Sequence, residues 1–172
     1  MNLPENLVVQ RQYQNLLLKK GKFENVSFTS SLIIPGKTKL VPLNLILETK
    51  LISRESEPLF APSDNRYFPR FTSSSKNDFL EKEVYFDFDK LESPLLLRKR
   101  KEGDRFYPLG MKGSKKIKDF FIDLKLPMEK REIIPLLVSK DRIVWVVGYR
   151  IDRRFKVDNN TRKILKIKIL RA

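Results

Sequence analysis

The sequence predicts an α+β fold with β in the majority, arranged as a mixed sheet or a partly open barrel carrying a pair of helices. Three observations predict it. Apolar and polar residues alternate at period two in several short runs, one stretch repeats at helical spacing, and prolines and glycines punctuate the boundaries. The 172 residues are enough for one ordinary domain, and 41% hydrophobic with 33% charged residues is a globular composition with a heavily ionised surface.

Leu7 to Lys19 is β-prone, with Leu7, Val9, Arg11 and Tyr13 on one side of the alternation. Lys20-Gly21-Lys22 reads as a turn into a strand from Phe23 to Phe28. Leu32-Ile33-Ile34 is a short strand ended by Pro35-Gly36, and Leu43 to Ile52 is another. From Ser53 to Asp78 the periodicity dissolves among prolines, serines and scattered charges, which predicts a long loop. Val84, Phe86 and Phe88 then alternate with polar neighbours as a half-buried strand. Ser114 to Leu124 reads as a helix capped by Ser114, with Ile117, Phe120, Phe121 and Leu124 on one face. A second helix starts at Pro127 and stops at Pro135. Leu136 to Val138 and Ile143 to Val147 form a hairpin. Val157 is assigned to a further strand, turned by Asp158-Asn159-Asn160, and Lys163 to Leu170 is the last strand. Two parts follow: a β-rich part over 1–92 with a loop near 53–78, and a basic domain over 93–172, packed with the first into one unit.

Charge divides at the same boundary. Residues 1–92 carry 13 basic and 12 acidic side chains, whereas residues 93–172 carry 23 and 9, so nearly all of the net +15 lies in the second half. Such a half repels itself and favours an anionic partner, with nucleic acid and anionic membrane the two candidates. Cysteine and histidine are both absent, which excludes disulfides, thiolate nucleophiles, zinc-thiolate sites and histidine general bases. No apolar run approaches the ~20 residues of a membrane span, and Met1 to Glu5 lacks a secretory-signal pattern. The six glycines form neither a Walker loop nor a dinucleotide fingerprint, and the Ser-Gly-Gly-x-Asp-Ser loop of ATP pyrophosphatases is absent. No residue is assigned a catalytic or metal-binding role.

The stretch from Gly110 to Lys118 is the informative one. A glycine-bracketed turn feeds the expected helix, whose start carries Lys115, Lys116 and Lys118 where the helix dipole disfavours cations. A phosphate there would reverse the penalty; plain solvation of the lysines is the alternative. Arg98 and Arg100 share a strand face and suit an anion, or pair internally with Asp104 or Glu102. Phe120, Phe121 and Trp145 belong to the core, while Phe106 and Tyr107 fit either core packing or base stacking. Arg150, Arg153 and Arg154 bracket Asp152, which engages one of them and leaves two for a partner.

Pro94-Leu95-Leu96-Leu97-Arg98-Lys99-Arg100, Gly103-Asp104-Arg105-Phe106, Pro108-Leu109-Gly110, Lys115-Lys116-Ile117-Lys118-Asp119-Phe120-Phe121 and Pro127 together resemble the carboxy-terminal domain of the tRNA(Ile)-lysidine synthetase family. Arg131, Ile134-Pro135-Leu136, Trp145-Val146-Val147-Gly148 and Arg150-Ile151 continue the pattern, in the family's order and spacing from Ser93 onward. Ile34-Pro35-Gly36 and Phe86-Asp87-Phe88-Asp89 match loosely in the first part.

The resemblance implies a cytoplasmic ligase that uses ATP and lysine to convert the wobble cytidine of an isoleucine tRNA to lysidine. It implies that the chemistry belongs to an amino-terminal ATP-pyrophosphatase domain missing from this chain, which alone binds no cofactor and is inactive. It also implies a fold resembling a phenylalanyl-tRNA synthetase β-subunit domain and contact with tRNA, including its acceptor stem. The tRNA-binding candidates are Arg98, Arg100, Arg105, Lys112, Lys115, Lys116, Lys118, Arg131 and Arg150. The partners implied are isoleucine-acceptor tRNA and the catalytic domain, with a homodimer as a further candidate and no membrane. The alternative function is a basic protein-interaction or dimerisation domain that touches no RNA. A membrane binder fits less well, because the best helix turns its bulky apolar residues toward the core.

Overall fold

Two sheets meet face to face across a shared apolar core. The computed structural model describes residues 7–12, 15–20, 27–54 and 83–171. One sheet has four strands: β4 (Gly36–Leu40), β5 (Leu45–Ser53), β13 (Lys163–Arg171) and β6 (Glu83–Asp87), in that spatial order. The other has five, in the order β12 (Arg150–Ile151), β11 (Arg142–Val146), β10 (Leu136–Ser139), β7 (Leu95–Arg98) and β3 (Thr29–Ser31). A separate hairpin pairs β1 (Leu7–Gln12) with β2 (Asn15–Lys20). Every described ladder is antiparallel, and no sheet closes into a barrel. The architecture is α+β and sheet-dominated, with two helices, α1 (Ile117–Asp123) and α2 (Met128–Ile133).

The main core lies between the sheets. Leu47, Phe86, Leu165, Ile167 and Ile169 from one meet Leu95, Leu97, Leu137, Val144 and Trp145 from the other. On the opposite face of the five-stranded sheet, Leu136, Val138, Ile143 and Val146 receive Phe106 and the α1 residues Ile117, Phe120 and Phe121. The alternation of Leu136, Leu137 and Val138 between these cores follows from the period of a strand. A register shift at Leu137/Val138 opposes two steps of β11 to one of β10, so Val144 and Trp145 both serve the main core. Burying this second apolar face ties α1 to the sheet and fixes what leads into it.

Several sequence expectations change. Leu7 to Lys19 is two paired strands rather than one. The strand expected at Leu32–Ile34 is instead β3, just before it, and Leu32 is a buried residue whose N–H donates to the Leu95 carbonyl at 2.8 Å. β4 was not anticipated: its inward residues are Thr38 and Leu40, and the Thr38 hydroxyl accepts from the Ile33 N–H at 2.9 Å. Val157 joins no strand. The strand expected at Phe23 to Phe28 lies largely outside the described residues, as does the expected loop beyond Arg54.

The helix entrance differs most. Lys115 and Lys116 are not helical; they form β9 (Lys115–Lys116), paired with β8 (Arg105–Phe106). α1 begins two residues later, with Lys116 at its cap position and no side-chain cap. Ser114 is a plausible local cap, but pairing across the chain prevails: Phe106 is drawn into the core opposite Lys115, and the Ile117 N–H donates to the Asp104 carbonyl at 2.9 Å. Lys115 therefore lies outside the helix, while Lys116 at the cap and Lys118 in the first turn stay where the helix dipole disfavours cations.

Candidate nucleic-acid interface

The β8–β9 ribbon brings the basic residues together by alternation. Phe106 turns inward and is fully buried, so its neighbour Arg105 turns outward and is exposed. Arg105 stands directly opposite Lys116 in the ladder. Like charges so placed destabilise a strand pair, and no carboxylate among the described residues pairs with either. The Arg105 guanidinium donates to the Ser114 hydroxyl from Nη2 at 3.1 Å and from Nε at 3.3 Å, which steers it along the ribbon. Lys112 is exposed in the connecting loop, and Lys118 is exposed in the first turn of α1. Gly110 and Gly113, at φ +83° and +75°, supply the left-handed turns of that loop. The structure thus gathers Arg105, Lys112, Lys116 and Lys118 around one hairpin.

The remaining candidates are engaged within the protein. Asp104 grips Arg98 by two hydrogen bonds, at 2.8 and 2.9 Å, with both side chains only 13% exposed. Arg100 pairs with Glu132, and Lys115 with Asp123. Arg131 donates to the Leu126 carbonyl at 2.7 Å and Arg150 to the Leu109 carbonyl at 3.3 Å. Arg98 and Arg100, with the backbone between them and Asp104, line an open cleft of about 1100 Å³ beside the ribbon, where Glu132 and Asp141 offset part of the positive charge.

Asp152 organises the base of the loop. Its side chain is fully buried and accepts four hydrogen bonds: from the Tyr107 N–H at 2.8 Å, the Arg154 N–H at 2.9 Å, and Arg154 Nε and Nη2 at 3.0 and 2.8 Å. Sequence placed an arginine on Asp152 but missed Tyr107, whose backbone arrives from 45 residues away. Of the aromatics left open, Phe106 is core and Tyr107 is half-buried at the loop's start. Phe120, Phe121 and Trp145 are buried in the cores as expected.

A model of the TilS substrate C-terminal domain matches residues 95–169. A tRNA(Ile)-lysidine synthase from Clostridium acetobutylicum is 51% identical to this chain across 99% of its length and 34% of the relative's. Another, from Caldanaerobacter subterraneus subsp. tengcongensis, is 36% identical across 97% of this chain and 32% of the relative. Over residues 95–169 the chain carries a TilS C-terminal domain.

The chain spans about a third of the length of these two relatives. A solved structure described as "Crystal structure of TILS C-terminal domain" superposes with a TM-score of 0.62, at 23% identity, over 85% of this chain and 98% of that one, which shows a shared fold. An N-terminal fragment of the phenylalanyl-tRNA synthetase β subunit from Pyrococcus horikoshii gives a TM-score of 0.44 at 18% identity over 53% of this chain and 28% of that one. The TilS family match covers the ribbon, its loop, both helices and the Asp152 network. Among the described residues, no helix is long and apolar enough to cross a membrane.

Proposed function

We propose that this chain is the tRNA-binding part of a cytoplasmic tRNA(Ile)-lysidine synthase, the ATP-dependent ligase that joins lysine to the wobble cytidine of an isoleucine tRNA. The observation that carries the reading is Arg105 facing Lys116 across a two-stranded ribbon with no carboxylate among the described residues to relieve them. Like charges directly opposite each other on a strand pair are destabilising. A phosphate between them turns that repulsion into two attractions. Lys112 and Lys118 extend the same surface. A-form RNA presents its phosphates and 2′-hydroxyls and hides its major-groove edges, so this ribbon suits recognition of a stem by backbone and shape.

In this reading the chain holds and orients tRNA, while ATP, lysine and the bond-forming step belong to a catalytic domain with which it works. The net charge supports the assignment, since the stretch matched by the TilS model falls within the half that carries +14. The purified chain should retain tRNA in a binding assay and show no lysine-dependent ATP turnover. A chain that dimerises but leaves tRNA unbound at low salt would instead establish the protein-interaction alternative.

A further inference from the structure

A second group of cations lies at the start of the same loop, and it is ordered by rings rather than by carboxylates alone. Arg142 Cζ is 5.4 Å from the Phe155 ring centroid, and Arg154 Cζ is 5.7 Å from Phe155 and 4.5 Å from Tyr107. Arg153 Cζ is 5.3 Å from the Tyr107 ring. Guanidinium and ring thus alternate through Arg142, Phe155, Arg154, Tyr107 and Arg153, each step within the ~6 Å reach of cation–π attraction. Two of the three arginines are anchored: Glu92 binds Arg142, and buried Asp152 holds Arg154. Arg153 is exposed and has no carboxylate partner among the described residues, although its backbone N–H is fixed on the Tyr107 carbonyl at 2.8 Å. The ladder ends in a positioned planar cation at the surface.

We propose that Arg153 with Tyr107 forms a docking step for an unpaired nucleotide of the bound RNA, the guanidinium plane of Arg153 stacking on the base while its N–H donors meet the flanking phosphate. The proposal rests on the reading that this chain binds tRNA. An unpaired nucleotide fits because a base inside a duplex has both faces covered, whereas a splayed base can stack on an aromatic ring or an arginine plane. Arginine fits the role where lysine would not, being planar and carrying donors at its edge. The placement agrees, since Tyr107 opens the loop that runs through Lys112 back to Lys116. A stem tracked by the ribbon would meet this step at the loop end of the ribbon.

The test compares a blunt RNA stem-loop with the same stem-loop carrying a short single-stranded tail, each titrated against the chain by fluorescence anisotropy. The wild-type chain should bind the tailed RNA about tenfold more tightly, the scale of one base stacked on a side chain. Arg153→Lys keeps the charge and removes the plane, so it should erase that preference while leaving blunt-stem affinity and thermal melting unchanged. Tyr107→Leu should erase it as well. Lys116→Glu with Lys118→Glu should weaken both RNAs equally and preserve the preference. An unchanged preference in Arg153→Lys overturns the proposal, as does a wild-type chain that binds the blunt stem equally well. Failure to bind either RNA overturns the proposal and the functional reading together.

Discussion

Replacing Asp152 by alanine should unfold the loop's foundation before it touches the surface. The carboxylate is fully buried and accepts four hydrogen bonds, one from the Tyr107 backbone and three from Arg154. Breaking a buried ion pair by removing one partner costs about 3–5 kcal/mol, since it strands the other charge. Arg154 is 35% exposed, so water recovers part of its solvation, but the Tyr107 N–H has no such recourse. The lower end of the range, about 3 kcal/mol, is therefore expected, which lowers the melting temperature by about 6–12 °C for a chain of this size. Urea unfolding followed by Trp145 fluorescence measures it directly, because Trp145 lies in the main core. Asp152→Asn keeps an oxygen for the Tyr107 N–H and should lose less. A loss under about 1 kcal/mol for the alanine variant, the scale of one ordinary hydrogen bond, would refute the claim that Asp152 anchors the loop and the arginine ladder.

Two further predictions concern backbone and pH. Gly113 has φ +75° and open space where a Cβ would lie, so Gly113→Ala should cost about 1 kcal/mol from conformation alone, read as a shift in urea midpoint; an unchanged midpoint would show that the turn does not need glycine. Hydrogen bonding from Lys90, joined by the Asn160 N–H and resisted by burial, lowers the Asp158 carboxyl below its ordinary 3.8. Burial pulls the Lys90 ammonium down, but hydrogen bonds to Asp158 and Asp87 together with their charges outweigh it and raise it above 10.5. Asp158 therefore contributes stability that is present above pH 3.8 and lost as pH falls through its lowered value, while Lys90 contributes stability that is present below pH 10.5 and lost as pH rises through its raised value. Asp158→Asn should flatten the urea midpoint on both limbs; equal pH profiles for variant and wild type would contradict the pairing.

What the sequence revealed and what it hid divide along a physical line. The apolar face of α1 was legible because Ile117, Phe120 and Phe121 repeat at helical spacing and need nothing remote to identify them. Ser114 misled for the same reason: its capping signal is local, while the pairing of Lys115 and Lys116 with β8 depends on burying Phe106. β4 escaped notice because buried Thr38 stands where an apolar residue would mark the alternation. The fate of the arginines shows the limit of spacing. Arg98 beside Asp104 was a readable alternative six positions apart, but Arg100 with Glu132 spans 32 residues and exists only through the packing of α2. The Tyr107–Arg154 contact likewise requires the loop start to lie along Ile151–Asp152, through the Pro108–Asp152 bridge. Basic character was visible in the composition; which cations stay available was decided by tertiary pairing.

The salt dependence of tRNA binding tests the central claim most directly. Each phosphate neutralised by the ribbon releases counterions and contributes about 0.7–0.9 to the slope of log affinity against log salt. Lys116→Glu with Lys118→Glu removes two such contacts from exposed positions, leaving the buried face of α1 untouched. The account predicts a slope about one to two units flatter for the double variant, weaker binding of all tRNAs alike, and a melting temperature no lower than wild type, since Lys116→Glu relieves the like-charge pair with Arg105. Equal slopes with equal melts would show that the Arg105–Lys116 ribbon does not hold RNA.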